Sequence, residues 1–435
     1  MPHAMHLGDS PPVYRIDLSL PPAERYIEVA KAYRNHLISI TGIFDELVIE
    51  ALPKRFLPWI TRMARLMLRR LYSREETDEI RGISEATGIE MYLLVSFNVL
   101  LDLLMGCTSG AALTKPDTTE GLRPRLLHFR TLDWDMDELR KLLVCFEYVR
   151  GPDYTTVLAT NITYVGFVGV LTGVRKGLSV SLNFRPNHDT SSWLRNYRYY
   201  GSHLLVLLGY RRSISSILRQ YIIPSDDSSA LPLSQVWPIV MRTPSTAAYL
   251  IFCDGIEAIV MEKDHRTAHV ARHSSFIVAT NNDHITPTPL KEEKRNKINQ
   301  RADLVVGSPL SVEDLIQDSN ERRALMDAYW EKKSKQAKKL NSSTRTCSTA
   351  RRDPLKRTRS SRKDCGESTG IAQTTISDSQ TAIEVTATPK EVIEWTTTYP
   401  ITNEMTHFAA IMDPRKGKVV WIRRFLEPLR SFSVD

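Results

Sequence analysis

Apolar and polar positions divide this chain into stretches of different character. Over residues 12–105 the apolar residues recur at helical spacing. Pro21-Pro22 opens a segment carrying Tyr26, Ile27, Val29, Ala30 and Tyr33. A second helix is predicted from about Leu57 to Tyr72, with Trp59, Ile60, Met63, Leu66 and Met67 on one side and Arg62, Arg65 and Arg69 on another. Ser73 is placed to cap a third helix that has Glu75 and Glu76 in its first turn and ends near Gly88. The run from Met91 to Met105 is apolar almost all round, which predicts burial.

From Cys107 the pattern changes to short β-rich segments. Strands are predicted at 109–114, 125–131, 142–149, 154–160, 165–172 and 178–184, separated by Gly, Pro, Asp and Asn clusters. Two helices follow near 193–208 and 212–222, then strands near 247–253, 256–262, 266–271 and 275–280. Strands, helices and strands again predict a layered α+β domain with two sheets. Residues 331–390 are rich in Lys, Arg, Ser and Thr and lack apolar periodicity until Ile383, which predicts a disordered insertion. Ordered signals return at 393–413 and 417–425. The organisation is therefore 1–106 helical, 107–330 sheet-rich, 331–390 insertion, and 391–435 returning strands of the same domain.

Charge and cysteines narrow the classes. The formal charge of +8 over 435 residues suggests a polyanion partner until it is located. Residues 331–364 hold thirteen Lys or Arg against three acids, so the rest of the chain is nearly neutral and no nucleic-acid partner is expected. The five cysteines (107, 145, 253, 347 and 365) are odd in number and widely spaced, without a metal-binding pattern. No metal and no cofactor is expected. The amino terminus shows no apolar signal-peptide core, which points to the cytoplasm, and the longest apolar run, fifteen residues, is short for a membrane span. The stretch Phe56–Tyr72 suits peripheral contact with a lipid surface, arginines near the head groups.

Three clusters carry chemistry. Gly106-Cys107 stands where a buried helix meets the first strand. A thiol there can attack the preceding carbonyl, and hydrolysis of the resulting thioester frees an α-amine. That amine, with an ordinary pKa of about 7.7–8.0, can act as base for its own thiol. Arg130 and Asp133, three apart at a strand end, can both face a neighbouring strand's first residue. Asn281, just after the strand Phe276–Val278, can donate to a developing oxyanion. Singly, each has an ordinary explanation: a core cysteine, a turn salt bridge, an Asx turn.

In sequence order, the chain resembles the acid ceramidase family, which includes N-acylethanolamine-hydrolysing acid amidase. The resemblance rests on Pro11–Leu18 with Leu20-Pro21-Pro22, Val95-Ser96-Phe97-Asn98 before Cys107-Thr108-Ser109, and Arg130-Thr131-Leu132-Asp133. Tyr164–Gly173, Gly177–Asn183 and Thr280-Asn281-x-Asp283 complete it. It implies an αββα four-layer Ntn-hydrolase fold with residues 1–106 as an α-subunit-like segment. It also implies self-cleavage between Gly106 and Cys107, with Cys107 as nucleophile and its amine as base. Asp133 would hold the amine, Arg130 would position it and the substrate carbonyl, and Asn281 would supply the oxyanion donor. The substrate would be a fatty-acyl amide lipid, ceramide first and an N-acylethanolamine as the alternative, with an apolar channel walled by the amino-terminal helices. Tyr164, Phe184, Lys294 and Arg295 are candidate substrate contacts.

Two departures bear on substrate choice: Phe184 stands where the family pattern has an acid, and Lys294-Arg295 where it has an arginine pair. The family works in lysosomal or secreted settings, where Asn161 and Asn341 would be glycosylation acceptors. A catalytically inactive relative, acting as an interaction protein through its basic insertion, is the reading from a different class.

Overall fold

The computed structural model describes residues 10–42, 54–100, 106–115, 123–151, 155–186, 193–224, 230–283, 312–349 and 384–429. The chain opens with β1 (Val13–Asp17), α1 (Ile27–Ala32), α2 (Arg34–Ser39), α3 (Leu57–Met67), α4 (Arg74–Thr87) and α5 (Met91–Leu100). Strands β2 (Gly106–Thr114) and β3 (Arg125–Asp133) follow, then α6 (Asp137–Arg140), β4 (Leu143–Val149), β5 (Ala159–Tyr164), β6 (Thr172–Arg175) and β7 (Leu178–Phe184). Next come α7 (Trp193–Leu207), α8 (Ile214–Ile222), α9 (Leu233–Arg242), β8 (Ala248–Cys253), β9 (Ala258–Lys263), β10 (Ala268–His273) and β11 (Phe276–Ala279). The last elements are α10 (Val312–Thr349), α11 (Pro389–Thr396), β12 (Thr406–Asp413) and β13 (Lys418–Arg424).

Two sheets result. One has eight strands in the order β1-β4-β5-β6-β7-β8-β9-β10, the other five in the order β11-β2-β3-β12-β13. All pairs are antiparallel except β1 with β4.

Residue parity shows how they stack. On the smaller sheet, Ala111, Leu113, Leu126, Ile277 and Ala279 pack against Tyr249, Ile251, Val260 and other residues of the larger sheet. Their neighbours Ala112, Leu127, Phe129, Phe276 and Val278 turn the other way, onto Met326 of α10 and Val392 and Trp395 of α11. A strand buried on both faces loses its apolar–polar alternation, which is why apolar residues stand side by side in β2 (Ala111-Ala112-Leu113) and β3 (Leu126-Leu127). Helices α8 and α9 cover the outer face of the larger sheet. The layers are thus helix, sheet, sheet, helix, as the resemblance implied.

Cross-sheet polar pins accompany the apolar core. His128 of β3 lies between the hydroxyls of Ser179 and Ser181 on β7, 2.9 Å from each. Burial pushes this imidazole down to about 3, so it stays neutral.

Several expectations need correction. Residues 13–17 form β1 rather than helix, because this short edge segment pairs in parallel with β4. Strands expected at 154–160 and 165–172 lie at 159–164 and 172–175, and α9 was not foreseen. The second helix ends at Met67, with Leu68 and Leu71 buried beyond it. The third runs as read: Ser73 Oγ accepts from the Glu76 amide, and Gly88 closes it at φ 77°. The expected insertion is not structureless where described. Helix α10 continues to Thr349, and residues 389–396 form α11, leaving 350–383 outside the described residues.

Candidate functional site

The site is assembled at the head of β2. Gly106 pairs in register with Asp133, Cys107 with Leu132 and Ser109 with Arg130. Odd positions of β2 face the larger sheet and even ones face α10, so Cys107 and Ser109 look inward while Thr108 looks outward. Along β3 the parity is reversed: Arg130 is inward and Asp133 outward. The three-residue spacing therefore does not put the two charges side by side. It puts them on opposite faces of the sheet, with the peptide that joins Gly106 to Cys107 between them.

On the inner face, Cys107 is fully buried and its thiol lies 3.8 Å from the Leu182 carbonyl of β7. Arg130, also fully buried, donates from Nη1 to Ser109 Oγ at 2.8 Å and to Asn183 Oδ1. Ser109 Oγ in turn donates to Asn183 Oδ1 at 2.8 Å. The Nε and Nη2 of Arg130 find no acceptor among the described residues. A buried guanidinium with two N–H-bearing nitrogens unspent is poised for an oxygen that arrives from elsewhere. Burial pushes the Cys107 thiol up, and the charge of Arg130 works against that rise.

On the outer face, Asp133 Oδ1 accepts from Thr406 Oγ1 at 2.7 Å, and Oδ2 lies 3.4 Å from Arg322 Nη1. Burial raises its carboxyl to about 6, against the pull of Arg322 and the Thr406 hydrogen bond. A Cβ on Gly106 would stand 3.3 Å from Asp133 Cβ and 3.8 Å from Oδ2, so glycine keeps the carboxylate close to the peptide ahead of Cys107.

Asn281 closes the third side. Its Oδ1 accepts the Cys107 amide at 2.7 Å and Arg322 Nη2 at 3.2 Å, while its Nδ2 donates to the Phe184 carbonyl at 2.8 Å. In this intact chain the carboxamide oxygen, rather than the nitrogen, faces Cys107. The motif's Asp283 is held away from the cysteine by the two-pronged grip of Arg185 (2.7 and 2.9 Å) and by the Tyr249 hydroxyl at 2.8 Å.

Cys107, Arg130, Asp133 and Asn281 thus come together around one peptide bond, although they derive from β2, β3 and the turn after β11. Tyr164 is fully buried behind Asp133's strand end. Its hydroxyl is 2.8 Å from His407 Nδ1, and His407 Nε2 is 3.0 Å from the Trp134 carbonyl. A carbonyl only accepts, so Nε2 carries the proton and the tyrosine donates to Nδ1. This sealed triplet supports β3 and offers no open surface. Phe184 contributes its carbonyl to Asn281 rather than a side-chain charge. Lys294 and Arg295 lie outside the described residues. Asn161 is buried, with Nδ2 donating to the Gly169 carbonyl at 3.0 Å, and is no glycan acceptor in this fold.

Sequence reasoning missed Arg322, Thr406 and Ser109. Helical spacing offered a signal for the first: Asp318, Arg322 and Met326 recur every four residues on one face of α10. Among the described residues no group of three or more His, Cys, Asp or Glu is arranged to hold a metal ion. No described helix is long and apolar enough to cross a membrane.

Two facing sheets between helical layers, with a cysteine at the head of an inner strand, make this an αββα fold of the Ntn-hydrolase type. A family model described as the beta subunit of N-acylethanolamine-hydrolyzing acid amidase matches residues 9–72, a subunit name opposite to the α-subunit label expected for this stretch. The N-acylethanolamine-hydrolyzing acid amidase of Caenorhabditis elegans is 31% identical over 42% of this chain and 51% of its own length. The acid ceramidase of Mus musculus is 32% identical over 40% of this chain and 45% of its own. The chain spans about half the length of these two curated relatives. A broader match, the amidase of Rattus norvegicus, is 23% identical over 71% of this chain and 81% of its own. A solved structure of the C. elegans amidase ortholog overlaps 71% of this chain and 93% of its own at TM-score 0.38 and 18% identity. The matches agree on the acid ceramidase and N-acylethanolamine-hydrolyzing acid amidase family that the motifs resemble.

Proposed function

We propose that this chain is an amidase of N-acyl lipids that cuts itself between Gly106 and Cys107 and then uses Cys107 as nucleophile. The observation that carries this reading is the Cys107 amide hydrogen-bonded at 2.7 Å to Asn281 Oδ1, beside a thiol under the half-spent guanidinium of Arg130. In the first reaction the thiol attacks the Gly106 carbonyl carbon and the peptide C–N bond breaks. Water then hydrolyses the thioester, leaving a carboxyl on Gly106 and an amine on Cys107. Asn281 Oδ1 and Asp133 are positioned to accept hydrogens from that amine, so its lone pair can take the thiol proton. In the second reaction the thiolate attacks the substrate carbonyl, whose oxygen gains charge as the tetrahedral intermediate forms. The unspent nitrogens of Arg130 suit that oxygen, and Asn281 Nδ2 can serve it after leaving Phe184. The amine leaves with a proton, and water releases the fatty acid.

Ceramide is the first candidate substrate and an N-acylethanolamine the second; both names come from the relatives. The lipid-surface contact is supported by α3, where Trp59 is 64% and Leu66 59% exposed beside Arg62 and the Glu90-paired Arg65, with Arg69 just beyond the helix.

The test is turnover of both lipid classes by the wild type and by Cys107→Ala. The reading expects release of fatty acid and a loss of at least about 10³-fold in the variant. Equal release from the two proteins would remove Cys107 as the nucleophile, and none from the wild type under any condition would transfer the reading to a non-catalytic relative.

A further inference from the structure

A strand from the end of the chain delivers a hydroxyl to Asp133. Where β12 pairs with β3, Thr406 stands opposite Asp133 but Phe408 stands opposite Leu132, so His407 is an extra residue, a β-bulge. The bulge changes which face Thr406 occupies. Phe408 and Ala410 pack on the inner side with Leu132 and Cys107, while Ile411 packs on the outer side with Met326 of α10. Strict alternation would put Thr406 on the inner side too. The bulge turns it outward instead, onto the face that Asp133 occupies.

There the hydroxyl has a fixed direction. Thr406 is fully buried, and its Oγ1 accepts the Asn403 amide at 2.9 Å. Its proton goes to Asp133 Oδ1 at 2.7 Å, because an ionised carboxylate can only accept. Buried Arg140 braces the turn that presents it, donating from Nη1 to the Thr406 and Phe425 carbonyls and from Nη2 to the Glu404 carbonyl. With Oδ1 taken, Oδ2 is the oxygen turned towards Gly106, where a Cβ would stand 3.8 Å from it. Around Asp133 stand Arg322 and Asp318 of α10, Arg130 of its own strand, the Cys107 thiol of β2 and the Tyr164 hydroxyl of β5. His407 turns to Tyr164 and to the Trp134 carbonyl.

We propose that Thr406, aimed by the bulge at His407, is a positioning residue for Asp133 that fixes which carboxylate oxygen faces the nitrogen of Cys107. The inference rests on the reading of Cys107 as a self-cleaving nucleophile whose amine Asp133 holds. A hydrogen bond to a carboxylate stabilises the ionised form over the acid, so its loss raises the pH at which Asp133 ionises, by about one unit. The loss also lets the carboxylate rotate, and Oδ2 no longer keeps its heading. Thr406 acts through Asp133 and not on the thiol.

The experiment follows appearance of the 107–435 fragment by mass spectrometry across pH 4 to 8, for the wild type, Thr406→Val and Thr406→Ser. Thermal melting is recorded for each. Valine keeps the shape and removes the hydroxyl. It is expected to slow cleavage at pH 5 about tenfold or more and to displace the acid limb upward by about one pH unit. Serine keeps the hydroxyl and should leave the limb where the wild type has it. A valine variant whose limb does not move overturns the proposal, even if it melts lower, and so does a serine variant whose limb moves as far as valine's. Where valine prevents folding, Thr406→Ala takes its place, with the same displacement expected and an unmoved limb again decisive.

If the wild type itself never cleaves, the self-cleavage reading fails, and the hold of Thr406 on Asp133 is judged separately on the intact chain. The folded carboxyl sits at about 6, above its ordinary value, so its contribution to stability is lost as pH rises through that point. Removing the hydroxyl moves the loss to higher pH and makes it larger. The melting temperature of Thr406→Val should therefore fall further below wild type between pH 5 and 8, and in an Asp133→Asn background the gap should not vary with pH. A gap that ignores pH in both backgrounds, or widens equally in both, overturns the coupling of Thr406 to Asp133.

Discussion

At the scale of single residues, Asp133 shows what the site asks of its surroundings. Its carboxyl sits at about 6 in the folded chain against an ordinary 3.8. Between those values the folded protein holds a proton that the unfolded chain has released, so this group's contribution to stability declines as pH rises through that window. A carboxamide in its place would not titrate. The melting temperature of Asp133→Asn minus that of wild type should therefore increase from pH 4 to pH 7, and an unchanged difference would show that the carboxyl is not raised. Arg130 acts through geometry as well as charge. Arg130→Lys cannot reproduce the hold on Ser109 and Asn183 while leaving donors to spare, and turnover should drop about 10²-fold or more with the fold intact. The cysteine, arginine, aspartate and asparagine were legible because they fall within motifs of fixed spacing. That Arg130 and Asp133 act from opposite faces follows from strand parity, which three-residue spacing already contains. Arg322 was less visible, because nothing local joins a helix residue to a strand more than two hundred positions earlier.

At the scale of elements, β2 carries the nucleophile and tolerates little. A Cβ on Gly110 would stand 2.1 Å from the Ile277 carbonyl oxygen of β11 and 2.5 Å from the Phe129 ring. Gly110→Ala should cost about 1–3 kcal/mol or more, read as a lowered denaturation midpoint, and a neutral result would mean that β11 lies farther from β2 than described. Helix α10 shows why a compositional reading of 331–349 misled. Its first half buries Ser319, Arg322 and Met326 against the sheet, whereas Lys332, Lys335, Lys338 and Lys339 are exposed. A helix leaving its layer needs no apolar stripe, and Lys, Gln, Ala and Glu favour helix on their own. Strand β1 was missed for the opposite reason: five residues beside a helical region give too short a run for period two to register.

At the scale of the whole molecule, the segment before the proposed cut is built into the rest. Strand β1 pairs with β4, and Asn98 of α5 donates to the Gly166 carbonyl at 2.8 Å and accepts the Val168 amide at 2.8 Å. Arg219 of α8 donates to Glu79 at 2.7 Å and to the Val168 carbonyl at 2.6 Å, and Ser216 donates to Glu76 at 2.8 Å. Residues 1–106 and 107–435 should stay associated after cleavage and co-elute in native size exclusion. Separation without denaturant would contradict that packing. Glu79→Ala leaves the buried Arg219 short of its nearest carboxylate and should cost about 3–5 kcal/mol, measured by denaturant unfolding. The central claim remains the peptide bond before Cys107. Its most direct test is the intact mass of the purified protein under denaturing conditions, before and after incubation at mildly acidic pH. The account predicts two masses, for residues 1–106 and 107–435, the larger fragment beginning Cys-Thr-Ser. A single mass for the uncut chain at every pH, with or without added lipid, would contradict it.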